Sequence, residues 1–250
     1  MANLQLRWRA KQPELMDDCN DGGAPLRQAL QHLGRLNRLF AAAGPILYGV
    51  KQVWKEAGRP RELAILDIGC GAGDVNRALL RWAKQEGIKL ELTLADITAE
   101  ACAEAREQFQ GDPRVKVEQL DLFQLPAGTA DIVVASQVLH HFGEGDVAKA
   151  FGAMLQGARL GVVVGDIHRH PIAWAAVWLA ARLVSRNRYI RHDGPLSVAK
   201  GFRAADWRRM QVSLRRSHPE MHLAYAWRPL FRYACWAKRP QAAEGGNGDA

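Results

Sequence analysis

The chain has 250 residues and a formal net charge of +8 at pH 7, and this length suffices for one α/β domain with a sizeable core. No charged segment followed by an apolar core is present near its start, so we expect no secretory signal. The four cysteines, and the acids and histidines, lack metal-ligand spacing. We therefore expect reduced thiols, a cytoplasmic location and no bound metal.

The basic charge is concentrated in residues 182–240, which contain fourteen Lys and Arg but only three acids. Such a surface can face nucleic acid, an anionic membrane, an acidic substrate or simply solvent. The composition alone does not choose among these partners.

Two helices are predicted ahead of the first strand. Residues 1 to about 24 read as a loop-like arm, and from Pro25 onward leucines recur at helical spacing. A Gly-Pro pair at 44–45 ends that helix, and residues 46–57 predict a second one. We expect residues 1–58 to form an N-terminal arm and helical cap, which either pads the sheet or closes over a ligand.

The most informative stretch is residues 63–75, LAILDIGCGAGDV. Its apolar first half predicts a strand buried on both faces of a parallel sheet, and helical composition follows from residue 76. A strand, a glycine turn and a helix begin the nucleoside-binding half of an open α/β sheet, with the ligand outside the carboxyl end of the strand. Glycine allows the tight turn and the close approach of a ligand.

The glycine spacing narrows the ligand class. The glycines stand at Gly69, Gly71 and Gly73, and the last position of a dinucleotide fingerprint would fall on Asp74. The Gly-Lys-Ser/Thr of a P-loop is also absent. Because the acid Asp67 ends the strand, the loop suits a ligand that carries an ammonium group and no phosphate.

Later strands also end in polar residues. Residues 89–95 predict a second strand, which ends at Asp96 and Ile97, where a carboxylate can accept both hydroxyls of a ribose. Residues 115–120 predict a third strand, followed by Asp121 and Leu122. Strands are further predicted at 130–135, 160–164, 222–227 and 230–237, and the last two form a closing antiparallel hairpin.

Together these motifs resemble class I S-adenosylmethionine-dependent methyltransferases. The resemblance implies a Rossmann-like seven-stranded sheet with an antiparallel edge strand and helices on both faces, here over residues 59–239. It implies S-adenosylmethionine as cofactor, held by Asp67, the three glycines, and Asp96 with Ile97. It further implies that Asp121 accepts from the adenine amino group beside Leu122, and that Gln137, after strand four, faces the cofactor.

A narrower resemblance rests on four short motifs, at residues 13–17, 35–38, 139–142 and 191–197. They resemble a bacterial group of small-molecule methyltransferases near the ubiquinone/menaquinone type. Members are associated with type III polyketide synthase products such as phenolic lipids. This resemblance implies a phenolic or polyketide-type small-molecule acceptor and secondary metabolism as the setting.

Methyl transfer to a phenol depends on positioning and on a base, because a phenol has a pKa near ~10. Histidine suits that proton exchange near neutral pH. The candidate catalytic residues are His140, His141 and His192, with Asp193 orienting the last of these. A ring carbon of a quinol would use the same cleft.

The segment at 171–184 is almost wholly apolar but too short to span a bilayer. It is predicted to be a buried helix, a lid over an apolar acceptor, or an interfacial helix with arginines beside it. We expect a lid insertion over 171–200 with peripheral membrane contact through 171–191. Residues 192–197 read as a polar turn, and residues 240–250 as a disordered tail.

Three other functions stay open: a quinol ring C-methyltransferase, an RNA methyltransferase and a non-catalytic cofactor-binding partner. A nucleic-acid substrate is disfavoured because the Asn/Asp-Pro-Pro-Tyr/Phe motif is absent after strand four, and no cysteine follows a proline. The sequence favours a phenolic O-methyltransferase. It leaves the oligomeric state open.

Overall fold

The computed structural model describes residues 6–17 and 23–239. The predicted tail at 240–250 and parts of the predicted N-terminal arm lie outside these residues. The strands are β1 (Glu62–Ile68), β2 (Lys89–Asp96), β3 (Val115–Gln119), β4 (Ala130–Ser136), β5 (Ala158–Ile167), β6 (Leu223–Arg228) and β7 (Arg232–Lys238). The helices are α1 (Ala24–Leu39), α2 (Ala43–Glu56), α3 (Asn76–Glu86), α4 (Ala99–Gln108), α5 (Glu144–Gly157), α6 (Pro171–Val184), α7 (Arg188–Lys200) and α8 (Ala204–Ser217).

The seven strands form one sheet in the order β3-β2-β1-β4-β5-β7-β6. Strands β1 to β5 pair in parallel, and β7 pairs antiparallel with both β5 and β6. The predicted Rossmann-like sheet with an antiparallel edge is therefore confirmed. The strand order reverses between β1 and β4, and their carboxyl ends form the crevice in which such sheets bind ligands.

The central strands are apolar on both faces because helices cover both faces of the sheet. Leu66 and Val133 face the layer that contains α5 and α8, whereas Ile65 and Ile132 face α2 and α3. All four side chains are at most 1% exposed. This burial explains why β1 reads as a continuous apolar run instead of an alternating one.

The predicted turn at residues 192–197 is wrong, since these residues lie within α7. Gly194 and Pro195 suggest a loop, but the side chain of Asn187 caps the helix by accepting from the N–H of Tyr189 at 3.0 Å. Ile190 and Asp193 are buried on the inner face of the helix. Tertiary packing thus overrides the local turn signal.

Helix α6 spans the residues of the predicted apolar segment and has 14 residues. Within residues 6–17 and 23–239, no helix combines the length and apolar character needed to cross a bilayer.

Candidate active site

The glycine loop after β1 adopts a conformation that requires glycine. All three glycines have left-handed backbones, with φ of +68° at Gly69, +54° at Gly71 and +78° at Gly73. A Cβ at Gly69 would lie 2.6 Å from Val138, and one at Gly73 would lie 2.7 Å from Phe109. A Cβ at Gly71 would meet no atom within 4 Å. Gly71 is therefore the point at which a ligand can lie directly on the loop.

Asp96 is fixed at the end of β2 by the loop it faces. Its Oδ2 accepts from the N–H of Gly71 at 2.9 Å, and its Oδ1 accepts from the N–H and hydroxyl of Thr98 at 3.0 and 2.9 Å. Asp96 and the neighbouring Ile97 both line the cavity beside the loop. The carboxylate is thus preorganised where a ribose is predicted to bind.

Asp67 lies beneath the loop and is completely buried. The amide of Asn76 donates to its Oδ2, while its Oδ1 has no hydrogen-bond partner among the described residues. Burial raises the pKa of Asp67 to about 7; the Asn76 amide opposes this shift and the charge of Asp96 adds to it. Asp67 is not among the residues that line the cavity beside the loop, so its predicted contact with the ammonium group of the cofactor stays a prediction.

Asp121 and Leu122, which are predicted to contact adenine, make other contacts in the structure. The Oδ1 of Asp121 accepts from the N–H of Phe123 at 2.9 Å, so this carboxylate caps a short 3₁₀ turn. Leu122 is 7% exposed and packs into the core. Neither residue is among those that line the cavity. The role of both in binding adenine stays a prediction.

The cavity that begins at the glycine loop has a volume of about 460 Å³ and continues to the histidines after β4. Leucines of α1 form one wall, and α7 contributes Ile190 and Asp193. The opposite end is polar and contains Glu14, Asp17, His140 and His141. The N-terminal cap and the segment after α6 therefore enclose a site that is continuous with the cofactor loop.

His140 stands at the polar end of this cavity and is held by Asp166 at the end of β5. Its Nδ1 lies 2.8 Å from the Oδ1 of Asp166, and its backbone N–H donates to Oδ2 at 3.2 Å. Burial alone would raise the pKa of Asp166, but His140, the N–H of Ile167 and Arg9 bring it below its ordinary value. An ionised carboxylate can only accept, so the Nδ1 of His140 carries a proton.

The Nε2 of His140 faces the Oε1 of Glu14 at 3.6 Å. Both atoms are buried and have no hydrogen-bond partner among the described residues. Glu14 itself is held by the hydroxyl of Ser197, which donates to Oε2 at 3.0 Å, and by the ammonium of Lys200, 3.3 Å from Oε1. The Lys200 ammonium thus pairs with the Oε1 of Glu14, and the Nε2 of His140 is left without a hydrogen bond to the described residues.

His141 is stacked on His140, with ring centroids 4.3 Å apart, and its Nδ1 lies 2.7 Å from the Oδ1 of Asp17. Burial alone would lower the pKa of His141, but Asp17 and Glu14 raise it. The ligand atoms of Glu14, His140 and His141 lie within 4.8 Å of one another, a grouping that could hold a metal ion. The Lys200 ammonium already lies 3.3 Å from Glu14 and 3.4 Å from Asp17. The expected absence of a metal stays a prediction.

His192 is not brought to the cavity. Its side chain is 52% exposed, and its Nδ1 lies 2.7 Å from the Oδ1 of Asp193. Asp193 lines the cavity, but its two oxygens accept from the N–H groups of Leu15 and Met16 at 2.9 and 3.0 Å. Asp193 therefore anchors the N-terminal segment to α7 and also contacts His192, whose role as the base stays a prediction.

Arg9 fastens the same N-terminal segment across the site. Its guanidinium donates to the carbonyls of Lys200, His140 and Phe142 at 2.8, 3.0 and 2.9 Å. These bonds, with those of Asp193, hold Glu14 against His140. The sequence did not identify Glu14, Asp166 or Lys200 as site residues. The signal available for Asp166 was its position at a strand tip next to β4.

Gln137 follows β4 with a left-handed φ of +59° and lines the cavity. Its amide donates to the Oδ1 of Asn37 at 2.7 Å and accepts from Arg232 at 2.6 Å. Its predicted contact with the cofactor stays a prediction.

The sheet order with its antiparallel edge is that of a Rossmann-like methyltransferase fold. Residues 65–175 match the family model described as a methyltransferase domain. The match covers less than half of the chain, so it shows a methyltransferase domain within it, and S-adenosylmethionine is the cofactor that this domain and the fold indicate.

Among curated proteins, the chain is similar to the non-reducing polyketide synthase ausA of Penicillium brasilianum, with 27% identity over 131 residues. The match covers 50% of this chain but only 5% of the synthase. The solved structure of the plantazolicin methyltransferase BpumL with SAH aligns with a TM-score of 0.68 at 12% identity, covering 91% of this chain and 95% of that one. The CurJ carbon methyltransferase aligns with a TM-score of 0.52 at 14% identity, covering 72% and 49%. These structural matches show the shared fold.

Replacing Asp96 with alanine should weaken binding of S-adenosylhomocysteine by about 1.5–3 kcal/mol, because a charged hydrogen-bond acceptor is lost. Calorimetric titration measures this change directly. Glu62→Ala is the matched control, since this exposed acid starts β1 at the opposite end of the sheet. Unchanged affinity in Asp96→Ala would refute the ribose assignment.

Proposed function

We propose that the protein methylates a hydroxyl group of a small, largely apolar acceptor, in the simplest case a phenol. The observation that carries this proposal is that His140 lines the cavity of the cofactor loop, with a buried Nε2 that has no hydrogen-bond partner among the described residues, while Asp166 holds Nδ1 at 2.8 Å. This is the arrangement of a general base with an orienting carboxylate.

The proposed chemistry follows from these positions. When bound, S-adenosylmethionine supplies an electrophilic methyl group. The acceptor hydroxyl donates to the Nε2 of His140 and passes its proton there as the oxygen attacks the methyl carbon. Asp166 stabilises the resulting imidazolium, which later releases the proton to solvent. The enclosing helices α1 and α7 hold the acceptor in line and exclude water.

The apolar wall of the cavity supports an aromatic acceptor. Leu26, Leu30, Leu33 and Leu36 of α1 line the same cavity as His140, so a flat ring could pack on the leucines with its hydroxyl toward His140. The similarity to polyketide synthases supports a polyketide-derived phenol and a role in secondary metabolism. In its more specific form, the proposal is that the acceptor is a phenolic lipid.

Carbon methylation is a second candidate, favoured by the structural similarity to the CurJ carbon methyltransferase. A ring carbon activated by an adjacent phenolate would use the same base and the same cavity. The non-catalytic alternative is disfavoured by the His140–Asp166 pair, which cofactor binding alone does not require.

The test is incubation with isotopically labelled methyl donor and a panel of alkylresorcinols, quinols and RNA, followed by mass spectrometry and NMR of the product. Label on a phenolic oxygen supports the proposal, and label on a ring carbon supports the second candidate. Label on RNA alone would overturn both.

We also propose that the protein is cytoplasmic and contacts an anionic membrane through residues 171–191. On α6, Ile172, Leu179 and Leu183 are 61%, 53% and 77% exposed. The guanidinium of Arg182 lies over the Trp178 ring, 3.8 Å from its centroid. Apolar exposure beside arginines is the pattern of an interfacial helix.

Replacing both Leu179 and Leu183 with glutamate should abolish co-sedimentation with phosphatidylserine-containing vesicles, because it removes apolar area and adds negative charge. Val212→Glu on α8, at a site 61% exposed, is the control and should keep the wild-type level. Equal sedimentation of the double variant and wild type, or no sedimentation of either, would contradict the membrane proposal.

A further inference from the structure

Arg232 is a buried charge that the proposed reaction does not use. It begins β7, is 5% exposed, and has no carboxylate of the described residues within 4.0 Å. The equally buried Arg169, by contrast, has the Oδ2 of Asp206 3.1 Å from its Nη2. Buried charges in proteins are as a rule paired, because leaving one unpaired costs desolvation free energy.

The hydrogen bonds of Arg232 leave part of its donor set free. Nη1 donates to the Oε1 of Gln137 at 2.6 Å, and Nε donates to the carbonyl of Phe40 at 3.3 Å. Nη2 makes no hydrogen bond to any described residue. Burial lowers the pKa of Arg232 to about 10, and the nearest acid that acts against this is Asp166. Asp166 is already committed to His140 and to the N–H of Ile167.

Arg232 lines a small pocket between α1, α6 and the turn that joins β6 to β7. Its volume is about 60 Å³, and its lining is apolar apart from Arg232, Asn37, Gln137 and Ser197. One water requires about 10–15 Å³ on this scale, so a group the size of a carboxylate has room. Asn37, Gln137 and Ser197 also line the main cavity, so the pocket directly adjoins the cofactor and acceptor site.

The backbone at this junction is strained. Gln137 keeps its left-handed φ of +59° while its side chain bridges Asn37 and Arg232 at 2.7 and 2.6 Å. Non-glycine residues in this region carry a conformational cost and cluster at ligand sites. The Asn37–Gln137 pair thus lines both cavities, and Arg232, bonded to Gln137, lines the small pocket.

We propose that Arg232 binds, in the small pocket, a carboxylate group of a ligand that extends there from the main cavity. The anion would supply the missing counter-charge and accept from Nη2. Two sources share this chemistry: the methionine carboxylate of the cofactor, and an acidic group on the acceptor. The second source rests on the proposed function, and the first does not.

The test is calorimetric binding to the full chain, with no methyl transfer required. The probes are S-adenosylhomocysteine alone and, on the complex with it, 2,4-dihydroxybenzoate compared with resorcinol, which lacks the carboxylate. Arg232→Gln is the variant, and Arg228→Gln on the same hairpin is the control. Arg232→Met, which removes the charge but keeps an unbranched side chain, serves if Arg232→Gln does not fold.

If the acceptor supplies the carboxylate, wild type binds the acid about 10- to 100-fold more tightly than resorcinol, and Arg232→Gln loses that preference. If the cofactor supplies the carboxylate, Arg232→Gln lowers the affinity for S-adenosylhomocysteine by a similar factor. In that case 2,4-dihydroxybenzoate binds no more tightly than resorcinol. Unchanged cofactor affinity together with no preference for the acid would overturn the proposal. This experiment measures binding and not methyl transfer. A failure to methylate phenols would therefore not affect the conclusion about carboxylate binding by Arg232.

Discussion

Replacing His140 with alanine should lower kcat for a phenolic acceptor by about 10²–10⁴-fold, the range expected when a positioned general base is lost. The affinity for S-adenosylhomocysteine should stay close to the wild-type value, because the glycine loop and Asp96 are untouched. Asp166→Asn should lower kcat by a comparable factor, since the amide no longer stabilises the imidazolium that forms at His140. Steady-state kinetics with calorimetry separates these two effects.

His192→Ala is the matched control for this experiment, since His192 is half exposed and outside the cavity. It should retain wild-type kcat. A small effect at His140 combined with a large one at His192 would contradict the geometry described above and restore the assignment that the sequence also allowed.

Replacing Asp67 with asparagine should stabilise the cofactor-free protein at high pH while weakening cofactor binding. Burial raises the pKa of Asp67 to about 7 in the folded state, whereas an unfolded aspartate has a pKa near ~3.9. The folded state therefore binds the proton more tightly, and wild-type stability falls as the pH rises from about 4 to about 7. Asparagine does not ionise and avoids this loss, which amounts to roughly 4 kcal/mol above pH ~7.

The measurement is chemical unfolding of wild type and Asp67→Asn at about pH 5 and about pH 8, with and without S-adenosylhomocysteine. Without ligand, the stability advantage of the variant should grow between the two pH values. With ligand, the wild type should regain the stability that it loses at the higher pH, because a cationic ammonium near Asp67 favours the ionised carboxylate. An advantage that does not depend on pH would show that the Asp67 carboxylate is not destabilised by burial.

The fold was predictable because its signals are local. The apolar run of β1, the alternate glycines at Gly69, Gly71 and Gly73, and the acid Asp96 all lie within short stretches whose periods distinguish strand, turn and helix. The apolar composition of the α6 segment likewise predicts a helix. Turn-forming residues led to a wrong prediction only where long-range contacts determine the local structure. This is the case in α7, where Asp193 is buried because it binds the backbone of Leu15 and Met16.

The candidate site was predictable only in part, because its polar end is assembled from distant segments. Glu14 arrives from the N-terminal segment, Asp166 from β5 and Lys200 from α7, and no spacing in the sequence relates them to His140. Sequence reasoning named three histidines without ranking them. The structure separates them through their surroundings: His140 is buried beside Asp166, His141 pairs with Asp17, and His192 pairs with Asp193 but is half exposed and does not line the cavity.

The most direct test of the central claim is the rate of methyl transfer to ring-substituted phenols of decreasing pKa, compared between wild type and His140→Ala. If His140 removes the proton, the deficit of the variant should be largest for weakly acidic phenols. It should shrink toward zero for phenols that are already ionised at the assay pH, because these need no base. A deficit that is equal across the series would contradict the assignment of His140 as the base.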